Sequence, residues 1–232
     1  MVFRFKQFDV KHDQSAMKVG TDALLLGALV GTPNPLMCLD VGAGCGVISL
    51  MLAQRFPSIS IDAVELDKAS YLECVYNFKA SPWASRLTAV EGDFLCFNPN
   101  VKYDLIVSNP PFYTNGLLPE GHRIVSAKHN VSMPFEVFFQ KVYALLSSEG
   151  VCWLVFSSED VAFVKKQAIQ VGLFVSQTIW IFGKPGKCNR CILAIEKVQT
   201  TTFEREFTVR NKDGQYTKEY IELTKGFHYK QL

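Results

Sequence analysis

Short apolar runs alternate with stretches of helical spacing from Leu36 to Val198, and no other feature of the chain restricts its fold as much. The runs are Leu36–Val41, Ile59–Leu66, Arg86–Val90, Tyr103–Ser108 and Gly150–Phe156. Among them, Gly46–Phe56, Lys68–Ala80, Phe135–Leu146 and Asp160–Val171 read as helices. A crossover helix returns the chain to the edge it left, so the strands it joins lie parallel. Leu173–Phe182 and Cys191–Val198, on either side of the turn Gly183-Lys184-Pro185-Gly186, read instead as an antiparallel pair. The pattern predicts an α/β protein with a doubly wound, mostly parallel sheet. Such sheets bind ligands outside the carboxyl ends of their strands.

Four of those ends carry polar punctuation. After the first run comes Asp40-Val41-Gly42-Ala43-Gly44-Cys45-Gly46, whose glycines permit a tight turn and close approach of a ligand to the backbone. Glu65 ends the second run, 23 residues after Gly42, where a carboxylate accepts hydrogen bonds from ribose hydroxyls. A dinucleotide site needs G-x-G-x-x-G, and Val47 occupies the place of its third glycine. Asp93 and Phe94 follow the third run; the carboxylate suits an adenine amine and the ring suits the adenine face. Taken singly, Glu65 reads as a solvated strand end and Asp93 as a turn cap. Together with a glycine turn that lacks a phosphate anchor, they describe a site for S-adenosylmethionine. The fourth run ends in Ser108-Asn109-Pro110-Pro111-Phe112. By itself this is an Asn-Pro turn beside a ring. At the mouth of such a cofactor site, an amide oxygen, a stiff turn and an aromatic ring suit a planar nitrogen nucleophile.

Composition sets the outer limits. The chain has 232 residues, 48% of them hydrophobic, with a net charge of +2. The pI of about 8.1 is below the level that marks a nucleic-acid binder by charge alone. Seven scattered cysteines suggest no disulfide framework. Cys188 and Cys191 form a lone C-x-x-C without a second ligand pair, so they read as strand and turn residues, and no metal is expected. The start of the chain has no long apolar stretch, and Ala23–Val30 is too short to span a membrane. These features predict a cytoplasmic protein that is not held in a membrane. Residues 113–132 form a long polar segment of the kind that serves function or moves.

The glycine turn, Glu65, Asp93 and Asn109–Phe112 stand in the order of the motifs of class I methyltransferases, which this chain resembles over about residues 36–198. The resemblance implies a Rossmann-like sheet of seven strands with the last antiparallel, in one domain spanning 1–232. Residues 1–35 would extend it at the front and residues 199–232 would form a tail. It implies S-adenosyl-L-methionine as cofactor, held by Asp40, Gly42, Gly44, Gly46, Glu65, Asp93, Phe94, Asn109 and Thr21. It also implies Asn109, Pro110, Pro111 and Phe112 as the methyl-acceptor site. Flanking segments resemble the bacterial valine-tRNA adenine methyltransferases. They are Met17-Lys18-Val19-Gly20-Thr21-Asp22, Ala127-Lys128-His129, Lys184-Pro185-Gly186-Lys187 with Arg190, and Tyr216–Tyr220 with Leu223 and Phe227. The family methylates the exocyclic amine of adenosine 37, beside the anticodon. Cys45 stands where the glycine loop often has Thr or Ser, and His228 breaks an expected aromatic pair.

That resemblance makes the tRNA anticodon loop the expected partner of a monomer, with Lys18, Lys128, Lys184, Lys187 and Arg190 lining the approach. Each of these reads singly as a solvated cation. The tail aromatics pack the tail onto the domain or stack on bases, and His12 and His129 read as exposed or loop residues. Glutamine methylation on a protein, guanine methylation on ribosomal RNA, and a non-catalytic RNA-binding module on the same scaffold are the alternatives.

Overall fold

The computed structural model describes residues 1–15, 17–110 and 135–229. The elements are, in order, β1 (Val2–Arg4), β2 (Asp9–Lys11), α1 (Thr21–Leu29), β3 (Met37–Val41), α2 (Val47–Arg55) and β4 (Ser60–Glu65). They continue with α3 (Lys68–Ala80), β5 (Leu87–Glu91), β6 (Tyr103–Ser108), α4 (Phe135–Leu145) and β7 (Leu146–Ser157). The last are α5 (Val161–Gln170), β8 (Phe174–Lys184), β9 (Lys187–Glu196), β10 (Phe203–Thr208) and α6 (Lys218–Thr224). The main sheet has the order β10-β8-β9-β7-β6-β3-β4-β5. β9 runs antiparallel to both its neighbours, and every other adjacent pair is parallel.

The expected α/β sheet with its antiparallel last strand is therefore present as β3 to β9. An eighth strand, β10, comes from the tail and pairs with β8. The order reverses at β3, which lies between β6 and β4, so the crevice of the sheet opens there. The strands beside β3 are buried on both faces because helices cover both. One core gathers Leu24–Leu26, Leu50–Leu52, Ile61 and Trp153 under α1, α2 and α3. The other gathers Phe94, Phe138, Phe139, Ile106 and Leu193 under α4 and α5.

Both ends of the chain join the first core. Phe5 and Phe8 stack at 4.3 Å, and Phe8 meets Trp83 edge-on at 5.5 Å. Tyr220 and Phe227 of the tail are buried, and Tyr216 stacks on Tyr220 at 4.6 Å. The tail aromatics at these three positions thus pack onto the domain. Tyr229 is exposed. His12 is corrected from exposed to buried: its Nδ1 accepts the Val19 N–H at 3.1 Å. Burial and the neighbouring Lys18 charge lower its pKa. Cys188 and Cys191 lie within β9, and the cysteines are free thiols. Among the described residues, no helix is long and apolar enough to cross a membrane.

Candidate active site

The floor of the site is the turn from β3 to α2. Gly42, Gly44 and Gly46 all have positive φ, at +70°, +56° and +80°. Alternating left-handed residues fold the backbone into a cup, which side-chain-bearing residues adopt only at a cost. A Cβ on Gly42 or Gly44 would meet nothing within 4 Å, so the cup faces open space that a ligand backbone can enter. Gly46 differs: a Cβ there would lie 2.6 Å from the Phe78 ring and 2.8 Å from Cys74 Sγ. It is a glycine because α3 presses against the turn.

Asp40 lies beneath the cup, fully buried. Its Oδ2 accepts from Ser49 N–H at 3.2 Å and Ser49 Oγ at 2.7 Å, which ties β3 to the first turn of α2. Its Oδ1 is buried without a partner. Burial pushes its pKa up to about 6, against the two Ser49 bonds. Glu65 crosses the cup from the end of β4. Its Oε2 accepts the Gly44 N–H at 2.7 Å and its Oε1 the Asp67 N–H at 2.8 Å. Burial raises its pKa while those two amides oppose the shift. A carboxylate accepts about four hydrogen bonds, so about two remain for ribose hydroxyls.

Asp93 is exposed at the end of β5, and its Oδ1 caps the turn 94–96 through Leu95 N–H at 2.8 Å. A cleft of about 260 Å³ adjoins it, lined by Val64, Glu91, Gly92, Cys96 and Phe97. Phe94 is corrected here. Its ring is buried 5.5 Å from Phe138 in the second core and supports the Asp93 turn from below, so it does not lie on an adenine face. Ser108 donates its hydroxyl to Val41 O at 2.7 Å, fastening the end of β6 to the end of β3. Asn109 and Pro110 follow, half-buried, next to the glycine cup. Pro111, Phe112, Lys128 and His129 lie outside the described residues, as does the polar segment 113–132.

Thr21 opens α1, whose start is fixed to the site side of the sheet by Arg190. The Arg190 Nε lies 2.7 Å from Asp22 Oδ2, and its Nη1 donates to Asn189 O. Arg190 is thereby a brace between β9 and α1, with its side chain still 42% exposed. Lys18 is exposed and also makes contacts within the chain. Its ammonium donates to the carbonyls of His12 at 2.8 Å, Asp13 at 2.9 Å and Ser15 at 3.3 Å, which holds the segment before Thr21 in a tight strap. Lys184 and Lys187 are exposed on either side of the β8–β9 turn. No group of three or more His, Cys, Asp or Glu gathers as a metal site among the described residues.

Two positioning residues escape the motifs. Glu73 of α3 accepts the amides of Asp13, Gln14 and Ser15 at 2.9–3.1 Å and the Ser15 hydroxyl. Asn77 bonds Lys11 through both its N–H and its carbonyl, and donates to Cys45 O of the glycine turn at 2.8 Å. The sequence does hold their trace. The buried face of α3 reads Ser70, Glu73, Cys74, Asn77, Phe78, so Glu73 and Asn77, with Ser70, put polar groups at core positions of the helical repeat.

Comparison with known proteins agrees with this geometry. The family model described as "Methyltransferase small domain" matches residues 14–162. A Flavobacterium johnsoniae protein named tRNA1(Val) (adenine(37)-N6)-methyltransferase is 39% identical, over 99% of this chain and 100% of its own. A Bacteroides thetaiotaomicron protein of the same name is 36% identical over 97% and 96%. Among solved structures, a predicted O-methyltransferase of Agrobacterium tumefaciens superimposes with a TM-score of 0.67 at 20% identity, covering 89% of this chain and 96% of that one. The glycopeptide N-methyltransferase MtfA, complexed with S-adenosylmethionine, does so with a TM-score of 0.56 at 14% identity, covering 77% and 93%. At those identities the structures speak for the fold alone.

Proposed function

This chain belongs to the methyltransferase small domain family and, within it, to the tRNA1(Val) (adenine(37)-N6)-methyltransferases, and from that premise we propose that it methylates the exocyclic amine of adenosine 37 beside the anticodon of valine tRNA. The observation that carries the reading is the meeting of Asn109 and the glycine cup at the adjacent ends of β6 and β3, fastened by Ser108.

S-adenosyl-L-methionine is the cofactor, and the residues fit it. The Gly42 and Gly44 cup is open, Glu65 keeps acceptor capacity for the ribose, and Asp93 faces a cleft beside it. When bound, the cofactor supplies a methyl group on a positively charged sulfur. The task of the chain is then to present the amine. An adenine amine is a poor nucleophile because its lone pair is delocalised into the ring. The Asn109 side-chain oxygen and the Pro110 carbonyl each accept one of its N–H bonds, which draws the nitrogen toward tetrahedral geometry. This is catalysis by positioning and fixed dipoles. The base leaves its stack to enter, which an anticodon loop permits more easily than a duplex. Lys184 and Lys187, both exposed, line the approach of the RNA. The chain acts as one unit over 1–232, as a monomer in the cytoplasm.

Incubation with unmodified tRNA and labelled methyl donor, followed by digestion to nucleosides, tests the reading. N6-methyladenosine from position 37 of valine tRNA is the expected product. Methylguanosine, or label in protein only, overturns it.

A further inference from the structure

The β8–β9 hairpin rises far above the site floor. Ser108 is level with Leu154 of β7, and Leu154 with Leu193 of β9. Lys187 stands six residues beyond Leu193 toward the hairpin tip, paired with Lys184. At about 3.4 Å per residue, the tip stands roughly 20 Å above the level of Ser108 and roughly 10 Å to its side.

A second turn stands beside that tip. The pairing of β10 with β8 continues past Thr208, with Val209 N–H donating to Phe182 O at 2.8 Å and Arg210 N–H to Gly183 O at 3.2 Å. The chain then turns at 211–214 and returns through the Arg210–Tyr216 bridge. Arg210 stiffens this turn, donating to Gly214 O at 2.7 Å and lying 3.9 Å over the Tyr216 ring. Tyr216 rests in turn on buried Tyr220. Lys212, at the turn, is exposed. Lys184, Lys187 and Lys212 thus stand exposed on two adjacent turns, with the acid Asp213 next to Lys212 in the chain.

We propose that these two turns form one phosphate-binding clamp for an RNA stem, with Lys184, Lys187 and Lys212 as its ligands and Arg210 as its positioning residue. The inference rests on the tRNA reading above and adds where on the RNA the grip falls. An A-form RNA strand advances about 3 Å per phosphate, so a tip roughly 20 Å from the floor meets phosphates about six or seven nucleotides from the extruded base. Those belong to the stem and not to the loop. The grip is blind to sequence, because ammonium groups on phosphates carry no base readout.

The test uses the full chain with Lys184→Gln, Lys187→Gln and Lys212→Gln combined, and Lys79→Gln on the far side of the molecule as control. Affinity is measured against whole tRNA and against an oligonucleotide of the anticodon loop alone, across a salt series. The triple variant is expected to lose roughly tenfold or more in affinity for tRNA and to flatten the salt slope by about two to three units. Its affinity for the loop oligonucleotide changes less than about twofold, and the control matches the wild type throughout. Lys212→Gln alone reproduces about one unit of the slope change. Unchanged affinity and slope for tRNA overturn the clamp, as does an equal loss on both RNAs. Binding is read without turnover, so a wild type that grips tRNA through these lysines yet methylates another position sinks the function and leaves the clamp standing.

Discussion

On one side of Asn109 the strands β3, β4 and β5 are five or six residues long and stop at the floor of the site. On the other side β7, β8 and β9 run for ten to twelve residues, and two of them continue well past that floor. The short side works through its ends, where the backbone turns sharply and a carboxylate or glycine is left at each tip. The long side works through its reach. On the proposed reading, close backbone contact on the short side would hold a small cofactor, and the raised, exposed edge of the long side a large, charged RNA. One sheet serves both because strand length, unlike strand order, is free to differ across it.

The sharpest test of the boundary between the two sides is Asn109→Ala. It is expected to lower kcat by about a thousandfold, as loss of an aligned dipole does elsewhere, with cofactor affinity by calorimetry changed only a few-fold. Full turnover in that variant breaks the assignment of the acceptor site to the end of β6.

A matched pair of glycines compares the sides directly. Gly46 and Gly186 have nearly the same φ, +80° and +82°, yet a Cβ on Gly46 strikes Phe78 and Cys74 while one on Gly186 meets nothing within 4 Å. Gly46→Ala is expected to cost about 2–5 kcal/mol, backbone strain plus overpacking, and Gly186→Ala about 1–2 kcal/mol from strain alone. Urea unfolding of the two variants reads the difference. Equal costs would mean that α3 yields, and that the cup is less rigid than its packing implies.

Asp40 gives the short side a pH dependence. Its folded pKa, about 6, is above the ordinary 3.8, so the folded state binds more protons than the unfolded state between those values. Its contribution to stability therefore declines as pH rises from about 4 to about 6 and stays unfavourable above, by up to about 3 kcal/mol. Asp40→Asn keeps an oxygen for Ser49 and carries no charge. Its stability relative to wild type is expected to climb across that window, as measured by unfolding at pH 4.5 and pH 7. A constant difference would show that the buried carboxylate is compensated.

The smallest effect belongs to the long side. Arg190 and Asp22 are 42% and 34% exposed, so a double-mutant cycle should give a coupling of about 0.5 kcal/mol that shrinks with salt. A coupling several times larger would make the brace a structural keystone of α1.

The short side was the more legible of the two. The positions of Gly42 to Gly46, Glu65, Asp93 and Asn109 at strand ends were legible because local rules bind them: a positive φ demands glycine, and a strand end demands a break in the apolar run. Phe94 misled for the same reason, since an aromatic next to Asp93 reads alike whether it points to the ligand or into the core. Lys18 and Arg190 were legible as cations, but their partners, three carbonyls and Asp22, are set by where the strap and α1 come to rest. Nothing local marks Glu73 as the anchor of residues 13–15, because the two meet across 58 residues or more.

By itself, the sequence determined the alternation of strands and helices, the parallel sheet with its antiparallel last strand, the order of the cofactor motifs and the family. These depend on periodicity and on turn chemistry, which act over a few residues. Only the tertiary structure decided that the tail supplies an eighth strand, that Phe94 faces inward, and that Lys212 stands beside Lys184 and Lys187. Those facts depend on register and burial between segments far apart in the chain, where the free energy comes from surfaces that no single segment carries alone.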